Sequence, residues 1–210
     1  MKDYKLYFRK SSFKKDLDNG NLLLEIISEL KPTSVLEIGV LEGVTSRNIC
    51  ELLNILHKGN FNFTGIDLFG EDLAINNEKE FTPITKKFSN PFKWIYFRII
   101  TRMDPHSKKG VEFLLRKFKK NIKIIKGYSD NILKKINLDN VDFVFLDGGH
   151  SYETVKKDLD ILVSKLKSRS IIICDDYNKN EYGVKKAIDE IKSKHSFNNY
   201  GRFAFLRINK

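Results

Sequence analysis

Short β-prone segments alternate with helical patterns along this chain, and this alternation constrains the fold more than any other feature of the sequence. The predicted strands are 34–39, 61–67, 122–126, 141–147, 171–175 and 202–208. The predicted helices are 22–30, one that Thr45 or Ser46 caps and Gly59 ends, 111–118, one that Ser151 caps, and 184–191. Such alternation indicates a parallel, doubly wound α/β sheet with helices on both faces.

The length of 210 residues suits one domain with a sizeable core, and no repeat or flexible linker divides it. We predict a single domain over 1–210, with an N-terminal helical segment at 1–33 and an irregular insertion at 69–120. Residues Met1 to Lys15 lack the pattern of a signal peptide, and Cys50 and Cys174 lie in separate apolar segments without metal-ligand spacing. These features predict a cytoplasmic protein with buried thiols and no transmembrane segment.

Basic charge is concentrated between Lys86 and Lys126. This segment holds 13 of the 38 Lys and Arg residues but only two of the 27 Asp and Glu residues, so the rest of the chain carries 25 of each sign. Aromatic residues are interleaved with the basic ones, namely Phe88, Phe92, Trp94, Tyr96 and Phe97. We favour a lid that closes over an anionic small-molecule acceptor. Contact with nucleic acid, with an anionic membrane surface or with a second copy of the chain stays open, as does a solvated pair of helices without a ligand.

Acidic residues end three of the predicted strands, at Asp67, Asp147 and Asp175. The first strand ends at Gly39, two residues after Glu37. In doubly wound sheets, ligands bind outside the carboxyl ends of the strands. We therefore expect these acids to line one polar crevice.

The turn after the first strand, EIGVLEG from Glu37 to Gly43, is a candidate ligand-binding turn. Its glycines permit a tight bend and let a ligand approach backbone N–H groups near a helix start. Gly39 and Gly43 are spaced GxxxG rather than GxGxxG, which suits pyrophosphate less well. Asp67, at the end of the second strand, can accept hydrogen bonds from both hydroxyls of a ribose. An ordinary strand-to-helix turn and a capping carboxylate are the structural alternatives.

Five segments, in this order, resemble the class I S-adenosylmethionine-dependent methyltransferases: VLEIGVLEGVTS, GIDLF, KGYS, FVFLDGGHSYETVKKDL and IIICDDY. The resemblance covers about Val35 to Ile191, apart from the long segment after Asp67. It is closest to the branch of macrocin-type sugar O-methyltransferases and cephalosporin-hydroxylase-like proteins. It implies a Rossmann-like fold and S-adenosylmethionine as the cofactor.

The resemblance also implies roles for nine residues. The cofactor would be held at its methionine part, its ribose and its adenine by Glu37, Gly39, Gly43, Asp67 and Ser129. A divalent ion such as Mg²⁺ would be held by Asp147, Asp175 and Asp176. His150 would lie beside the reacting hydroxyl as the general base.

These roles are chemically consistent with one another. Oxygen ligands suit Mg²⁺, a metal-chelated hydroxyl loses its proton more readily, and an imidazole can accept that proton near neutral pH. The predicted function is an O-methyltransferase with divalent-metal assistance, acting on a sugar or another vicinal-diol or catechol-like small molecule. The structural alternative is that Asp147 and Asp176 cap helices. The other histidines lack an acidic strand end beside them and are expected on the surface: His57, His106 and His195.

Three other functions stay open: a metal-independent methyltransferase acting on nucleic acid or another anionic polymer, a dinucleotide oxidoreductase, and a non-catalytic binding module with a cofactor-binding fold. The sequence LDGGH stands where base-modifying enzymes carry an NPPY-like tetrapeptide, which disfavours the first. The GxxxG spacing disfavours the second, and the retained carboxylates disfavour the third.

Class I sheets end in an antiparallel hairpin of two strands. Few residues follow the last predicted helix of this chain, so we expect the sixth strand of its sheet to be short or absent.

Overall fold

The computed structural model describes residues 17–69, 92, 95–100, 102–179 and 183–210. Within these ranges the strands are β1 Ser34–Ile38, β2 Asn62–Asp67, β3 Ile122–Lys126, β4 Phe143–Leu146, β5 Ile171–Cys174, β6 Ser196–Tyr200 and β7 Phe203–Arg207. The α-helices are α1 Leu17–Leu30, α2 Val44–His57, α3 Lys108–Leu114, α4 Ser129–Lys135, α5 Tyr152–Lys165 and α6 Val184–Asp189. Shorter helical turns are Tyr96–Ile100, Arg116–Phe118 and Lys192–Lys194.

The strands form one sheet in the order β3-β2-β1-β4-β5-β7-β6. The first five strands are parallel, whereas β7 runs antiparallel to both β5 and β6. The order in which the chain adds parallel strands to the sheet reverses between β1 and β4, where Ile38 pairs with Leu146. This is the position at which doubly wound sheets open a crevice for ligands. The predicted Rossmann-like sheet is therefore confirmed.

Two hydrophobic layers cover the two faces of the sheet. Neighbouring strand residues alternate between them, so Val35 belongs to one layer and Leu36 to the other. The first layer contains the apolar faces of α1 and α2, and the second contains those of α5 and α6. Helices on both faces are confirmed, and the two layers fix the positions of the strand ends.

The helix starts show why one predicted cap is right and another is wrong. Ser151 caps α5, because its side chain accepts a hydrogen bond from the N–H of Thr154 at 3.2 Å. Helix α2 instead begins at Val44 after Gly43, with no side-chain cap. Thr45 and Ser46 lie inside the first turn of α2, after the cap position, so neither caps it, and the Ser46 hydroxyl donates to the buried carboxylate of Glu37.

The closing hairpin corrects the expectation of a short or absent sixth strand. Strands β6 and β7 have five residues each, and a turn of only Gly201 and Arg202 joins them. Two-residue turns let a hairpin form in very little chain. Strand β6 is also largely exposed, so its sequence lacks the apolar alternation that identifies a half-buried strand.

The structure leaves part of the domain prediction outside the described residues. The N-terminal segment is described from Leu17 onward. Within the predicted 69–120 insertion, residues 70–91, 93, 94 and 101 lie outside the described ranges. In those ranges, no helix combines the length and apolar character needed to cross a bilayer.

Candidate active site

Two groups of predicted site residues meet at the carboxyl edge of the sheet. The first group lies in the turn after β1 and at the end of β2: Glu37, Gly39, Gly43 and Asp67. The second group lines a small cavity at the ends of β4 and β5: Asp147, His150, Asp175 and Asp176. The groups are adjacent because the N–H of Asp147 donates to the carbonyl of Ile38 at 2.8 Å.

Asp67 organises the turn after β1. Its Oδ2 accepts hydrogen bonds from the backbone N–H groups of Val40 and Leu41, at 2.7 and 2.8 Å. Its Oδ1 accepts from the N–H of Phe69 at 2.7 Å. A carboxylate has about four lone-pair sites, so these bonds leave capacity for further donors. The ribose-binding role of Asp67 stays a prediction, and the structure adds a role in holding the turn.

Gly39 is required by the packing of the protein itself. It has a φ of +92°, and a Cβ at this position would lie 2.7 Å from the Cα of Gly148 and closer still to the carbonyl group of Asp147. Real Cβ atoms do not approach backbone atoms this closely. The turn after β1 and the 147–150 loop therefore rest directly on each other, so a change in one displaces the other.

Glu37 is fully buried beneath the turn. Its Oε2 accepts a hydrogen bond from Ser46, while Oε1 has no hydrogen-bond partner. Burial raises the pKa of Glu37 from 4.5 to about 8; the Ser46 bond opposes this, and the charge of Asp67 adds to it. An acid with an unused oxygen and a pKa near neutrality fits a site for a cationic ligand group.

Ser129 is held by the protein rather than directed at the turn. It begins α4, and its hydroxyl donates to Oδ2 of Asp158 on α5 at 2.7 Å. Asp158 is buried, so this bond ties the two helices together. The role of Ser129 beside the adenine stays a prediction.

The end of the 69–120 insertion packs on the turn after β1. A Cβ on Gly43, whose φ is +74°, would lie 3.0 Å from Cγ1 of Val111 on α3. His106 Nε2 lies 3.3 Å from Glu42, and the His106 side chain is only 17% exposed. The expected surface position is therefore wrong for His106. This packing places the described end of the insertion beside the turn after β1; the role of the insertion as a lid stays a prediction.

Two aspartates of the acidic cavity are bonded to a cation that the sequence pattern did not reveal. Arg202 donates to both oxygens of Asp175, through Nε and Nη2, and its Nη2 also donates to Asp176 Oδ1 at 2.9 Å. Asp176 lies in addition 3.0 Å from Lys179 Nζ, and its Oδ2 lies 3.4 Å from His150 Nε2. Asp175 and Asp176 are 5% and 4% exposed, so the cluster is a buried ion-pair network.

The closing hairpin explains how Arg202 reaches this cluster. Since β7 is antiparallel to β5, with Cys174 paired to Ala204, the start of β7 lies beside the end of β5. Arg202 immediately precedes β7 and so stands at the carboxyl edge of the parallel strands. The last strand was predicted at 202–208, but β6 and the pairing of Arg202 with the aspartates were not. The single sequence signal for the turn was Gly201 next to Arg202 at the start of that predicted strand.

Electrostatics differ among the three aspartates. Burial and the neighbouring carboxylates of Asp175 and Asp176 raise the pKa of Asp147 well above its ordinary value. Burial also raises the pKa of Asp175, against the opposing effect of Arg202. Burial acts in the same direction on Asp176, but hydrogen bonds with His150 and Lys179 and the charge of Arg202 lower its pKa overall. Asp176 is therefore the cavity carboxylate that ionises most readily.

The three aspartates as arranged do not fit a divalent ion. Among the described residues, no group of three or more His, Cys, Asp or Glu side chains is placed to hold a metal. Two of the three predicted ligands share the guanidinium of Arg202 instead. The metal-ligand roles of Asp147, Asp175 and Asp176 stay predictions, and they require Arg202 to leave the cavity.

Comparison with known proteins gives a family match. The family model of the methyltransferase domain matches residues 36–177, more than half of the chain. This range contains both groups of site residues but ends before the closing hairpin that carries Arg202. Among curated proteins, no sequence matches the chain.

Solved structures with the same fold include methyltransferases of low sequence identity. A putative O-methyltransferase from Klebsiella pneumoniae has 13% identity and a TM-score of 0.62, over 92% of this chain and 80% of that one. The calicheamicin methyltransferase CalS11 has 15% identity and a TM-score of 0.65, over 96% and 81%. The O-methyltransferase TomG from Streptomyces achromogenes, solved with S-adenosylmethionine, has 11% identity and a TM-score of 0.59, over 91% and 80%.

The close packing of Gly39 predicts a large difference between two glycine substitutions. Gly39 and Gly59 have similar φ values, +92° and +85°, so alanine costs each about 1–2 kcal/mol in backbone strain. At Gly59 the nearest atom to the added Cβ is 3.8 Å away, so strain is the whole cost there. Urea unfolding should show that Gly39→Ala loses more than about 4 kcal/mol or does not fold. Equal losses would contradict the packing.

The buried Glu37 predicts a pH-dependent stability. Its pKa of about 8 in the fold exceeds 4.5, so the folded protein keeps a proton that the unfolded chain releases between these values. Stability from this source is complete below pH 4.5 and is lost as the pH rises to about 8. Glu37→Gln, which retains an acceptor for Ser46, should match wild type in acid and exceed it at the alkaline end. The exposed Glu29→Gln is the control. Parallel unfolding curves at every pH would contradict this account.

Proposed function

The chain belongs to the methyltransferase-domain family and is an S-adenosylmethionine-dependent methyltransferase, and we propose that it methylates a hydroxyl of a small molecule with His150 as the general base. One observation carries this proposal: the loop that bears His150 rests directly on the turn after β1. A base and a cofactor-binding turn in contact bring an acceptor and a methyl donor within reacting distance.

The environment of His150 supports its role as the base. The side chain is 19% exposed and lines the cavity, so it is both accessible and partly shielded from water. Its Nε2 faces Asp176 Oδ2 at 3.4 Å, which favours the tautomer with the proton on Nε2. Nδ1 then carries the lone pair that takes the proton of the acceptor hydroxyl. Asp176 stabilises the imidazolium that results.

The turn after β1 fits the cofactor. S-adenosylmethionine supplies an electrophilic methyl group on a sulfonium ion. Glu37 offers one unused carboxylate oxygen under the turn, suited to the cationic amino group of the methionine part. Asp67 would receive the ribose hydroxyls, Gly39 and Gly43 shape the turn beside the methionine part, and Ser129 would lie near the adenine.

The acceptor is proposed as a sugar hydroxyl or another vicinal-diol or catechol-like group. CalS11, one of the proteins with the same fold, is described as a TDP-rhamnose 3'-O-methyltransferase. The basic insertion next to the site would favour an acceptor that carries a phosphate or another anion. The packing of α3 on Gly43 supports a lid position for this insertion.

Metal assistance, another class of acceptor and contacts with other surfaces are alternatives that experiments can reveal. Assistance by Mg²⁺ at Asp147, Asp175 and Asp176 would require Arg202 to be displaced. Methylation of nucleic acid, peripheral membrane contact and self-association rest only on the charge and aromatic content of the insertion.

Calorimetry tests the cofactor part of the proposal. Wild type should bind S-adenosylhomocysteine and should not bind NAD. A cationic amino group near Glu37 favours its ionised form, so binding near neutral pH should release a proton. The binding enthalpy should therefore vary with the ionisation enthalpy of the buffer in wild type but not in Glu37→Gln. Binding of NAD alone would refute the proposed cofactor, and binding without proton release would remove Glu37 from the cofactor site.

Kinetics test the base. His150→Ala should reduce kcat by about 10²–10⁴-fold, the usual contribution of a general base, with little change in affinity for S-adenosylhomocysteine. The loss should shrink as the pH rises and the acceptor hydroxyl ionises unaided. His195→Ala, far from the cavity, is the matched control. The measurement is S-adenosylhomocysteine release with a panel of nucleotide sugars and catechols. A kcat that is unchanged in His150→Ala would exclude this histidine as the base.

A further inference from the structure

We propose that Arg202 is the permanent counter-cation of the acidic cavity and takes the electrostatic role that a divalent ion would otherwise have there. The guanidinium bonds Asp175 at both oxygens and Asp176 at one. The planar fork of an arginine matches a carboxylate in this two-bond arrangement, which a lysine cannot reproduce. Methyl transfer by this protein therefore proceeds without a divalent ion at Asp147, Asp175 and Asp176.

Several contacts hold Arg202 in place, so it is part of the fold rather than a mobile surface residue. Its carbonyl accepts a hydrogen bond from the N–H of Tyr177 at 2.9 Å, which ties the hairpin turn to the segment after β5. Its side chain is only 19% exposed, and the guanidinium lies 6.0 Å from the ring centre of Phe203. By contrast, the side chain of Lys179, the other cation beside Asp176, is 40% exposed.

A divalent ion and Arg202 cannot share the cavity. A metal bound by Asp175 and Asp176 would occupy the oxygens that now accept the guanidinium N–H groups. It would also bring like charges close together in a site with little water to screen them. Binding of a metal thus requires expulsion of Arg202 and loss of its bonds to two buried carboxylates.

Arg202 also positions the proposed base. Asp176 presents one oxygen to Arg202 and Lys179, and the other to His150. Asp176 has a φ of +59°, a conformation that a non-glycine residue adopts only when its surroundings fix it. Arg202 is one of the groups that fix it, so Arg202 acts on the reaction through Asp176 and the orientation of the imidazole. This effect on His150 rests on the proposed function, whereas the effect on metal binding does not.

Titration with Mn²⁺, followed by electron paramagnetic resonance in the presence of S-adenosylhomocysteine, tests the counter-cation. Wild type should bind no Mn²⁺ in the cavity, whereas Arg202→Ala should bind Mn²⁺ there. The double variant Arg202→Ala with Asp176→Asn should lose that binding. Arg207→Ala, at the opposite end of β7, is the control and should behave as wild type. A wild-type site that Asp176→Asn abolishes would overturn the proposal. If neither wild type nor Arg202→Ala binds Mn²⁺, the proposal is also overturned, because the aspartates would then have no affinity for a divalent ion that Arg202 could block.

Activity gives an independent readout. Wild-type kcat should be unchanged by a chelator. Arg202→Ala should lose about 10- to 100-fold in kcat, as outer residues of a site commonly do, with little change in the KM for S-adenosylmethionine. Added guanidinium ion should restore part of that rate, which a merely structural defect would not allow. A loss confined to KM, or no rescue, would overturn the positioning role.

Two controls keep the test informative if Arg202→Ala does not fold. Arg202→Lys keeps the positive charge but loses the two-bond geometry of the guanidinium. It should therefore fold, still exclude Mn²⁺ and show an intermediate kcat. Uptake of Mn²⁺ by Arg202→Lys would contradict the proposed role of Arg202 as counter-cation. S-adenosylhomocysteine binding is measured on every variant. If wild type fails to bind it, the proposed function fails; if it binds but takes up Mn²⁺ at the aspartates, only the inference about Arg202 fails.

Discussion

The crowding of carboxyl groups at one edge of a parallel sheet is the physical condition on which the rest of this structure depends. Glu37, Asp67, Asp147, Asp175 and Asp176 all follow or end strands whose carboxyl termini are neighbours. Buried carboxylates without compensation are costly, and like charges make them costlier. Each acid is therefore compensated, and the means of compensation determines what it can do.

Three different solutions appear along this edge. Glu37 and Asp147 are compensated by raised pKa values, which favour their neutral, protonated forms. Asp67 is compensated by three backbone N–H groups, which also fix the turn after β1. Asp175 and Asp176 are compensated by Arg202. The first solution suits exchange with a ligand, whereas the second and third hold the loops that bear the site.

The sequence predicted the parallel part of the molecule well because that part obeys local rules. Short apolar runs such as the one ending in Asp147 are typical of buried parallel strands, and serine is a preferred residue at a helix N-cap, as Ser151 is. The nine candidate residues followed from strand ends and from a family resemblance. Gly39 permits the tight turn that the sequence predicted, and the structure adds its close approach to the Asp147 carbonyl; its place beside the cofactor stays a prediction. That contact joins residues far apart in the chain and leaves no local signal.

Strand β6 could not be predicted by the same rules, and the pairing of Arg202 with the aspartates was missed with it. An exposed edge strand carries no apolar period, and a two-residue turn needs almost no chain. Which cation reaches a buried acid depends on the direction of a strand, and a single sequence does not fix that direction. The family resemblance implied a metal site at Asp147, Asp175 and Asp176, but the same negative charges can also be paired with a guanidinium.

A crystal structure with S-adenosylhomocysteine, grown in the presence of Mn²⁺, tests the account most directly. The account predicts that the cofactor product lies on the turn after β1 with its amino group at Glu37, and that Arg202 still bonds Asp175 and Asp176 without anomalous density between them. Anomalous density for Mn²⁺ between these aspartates, with Arg202 turned out of the cavity, would contradict it.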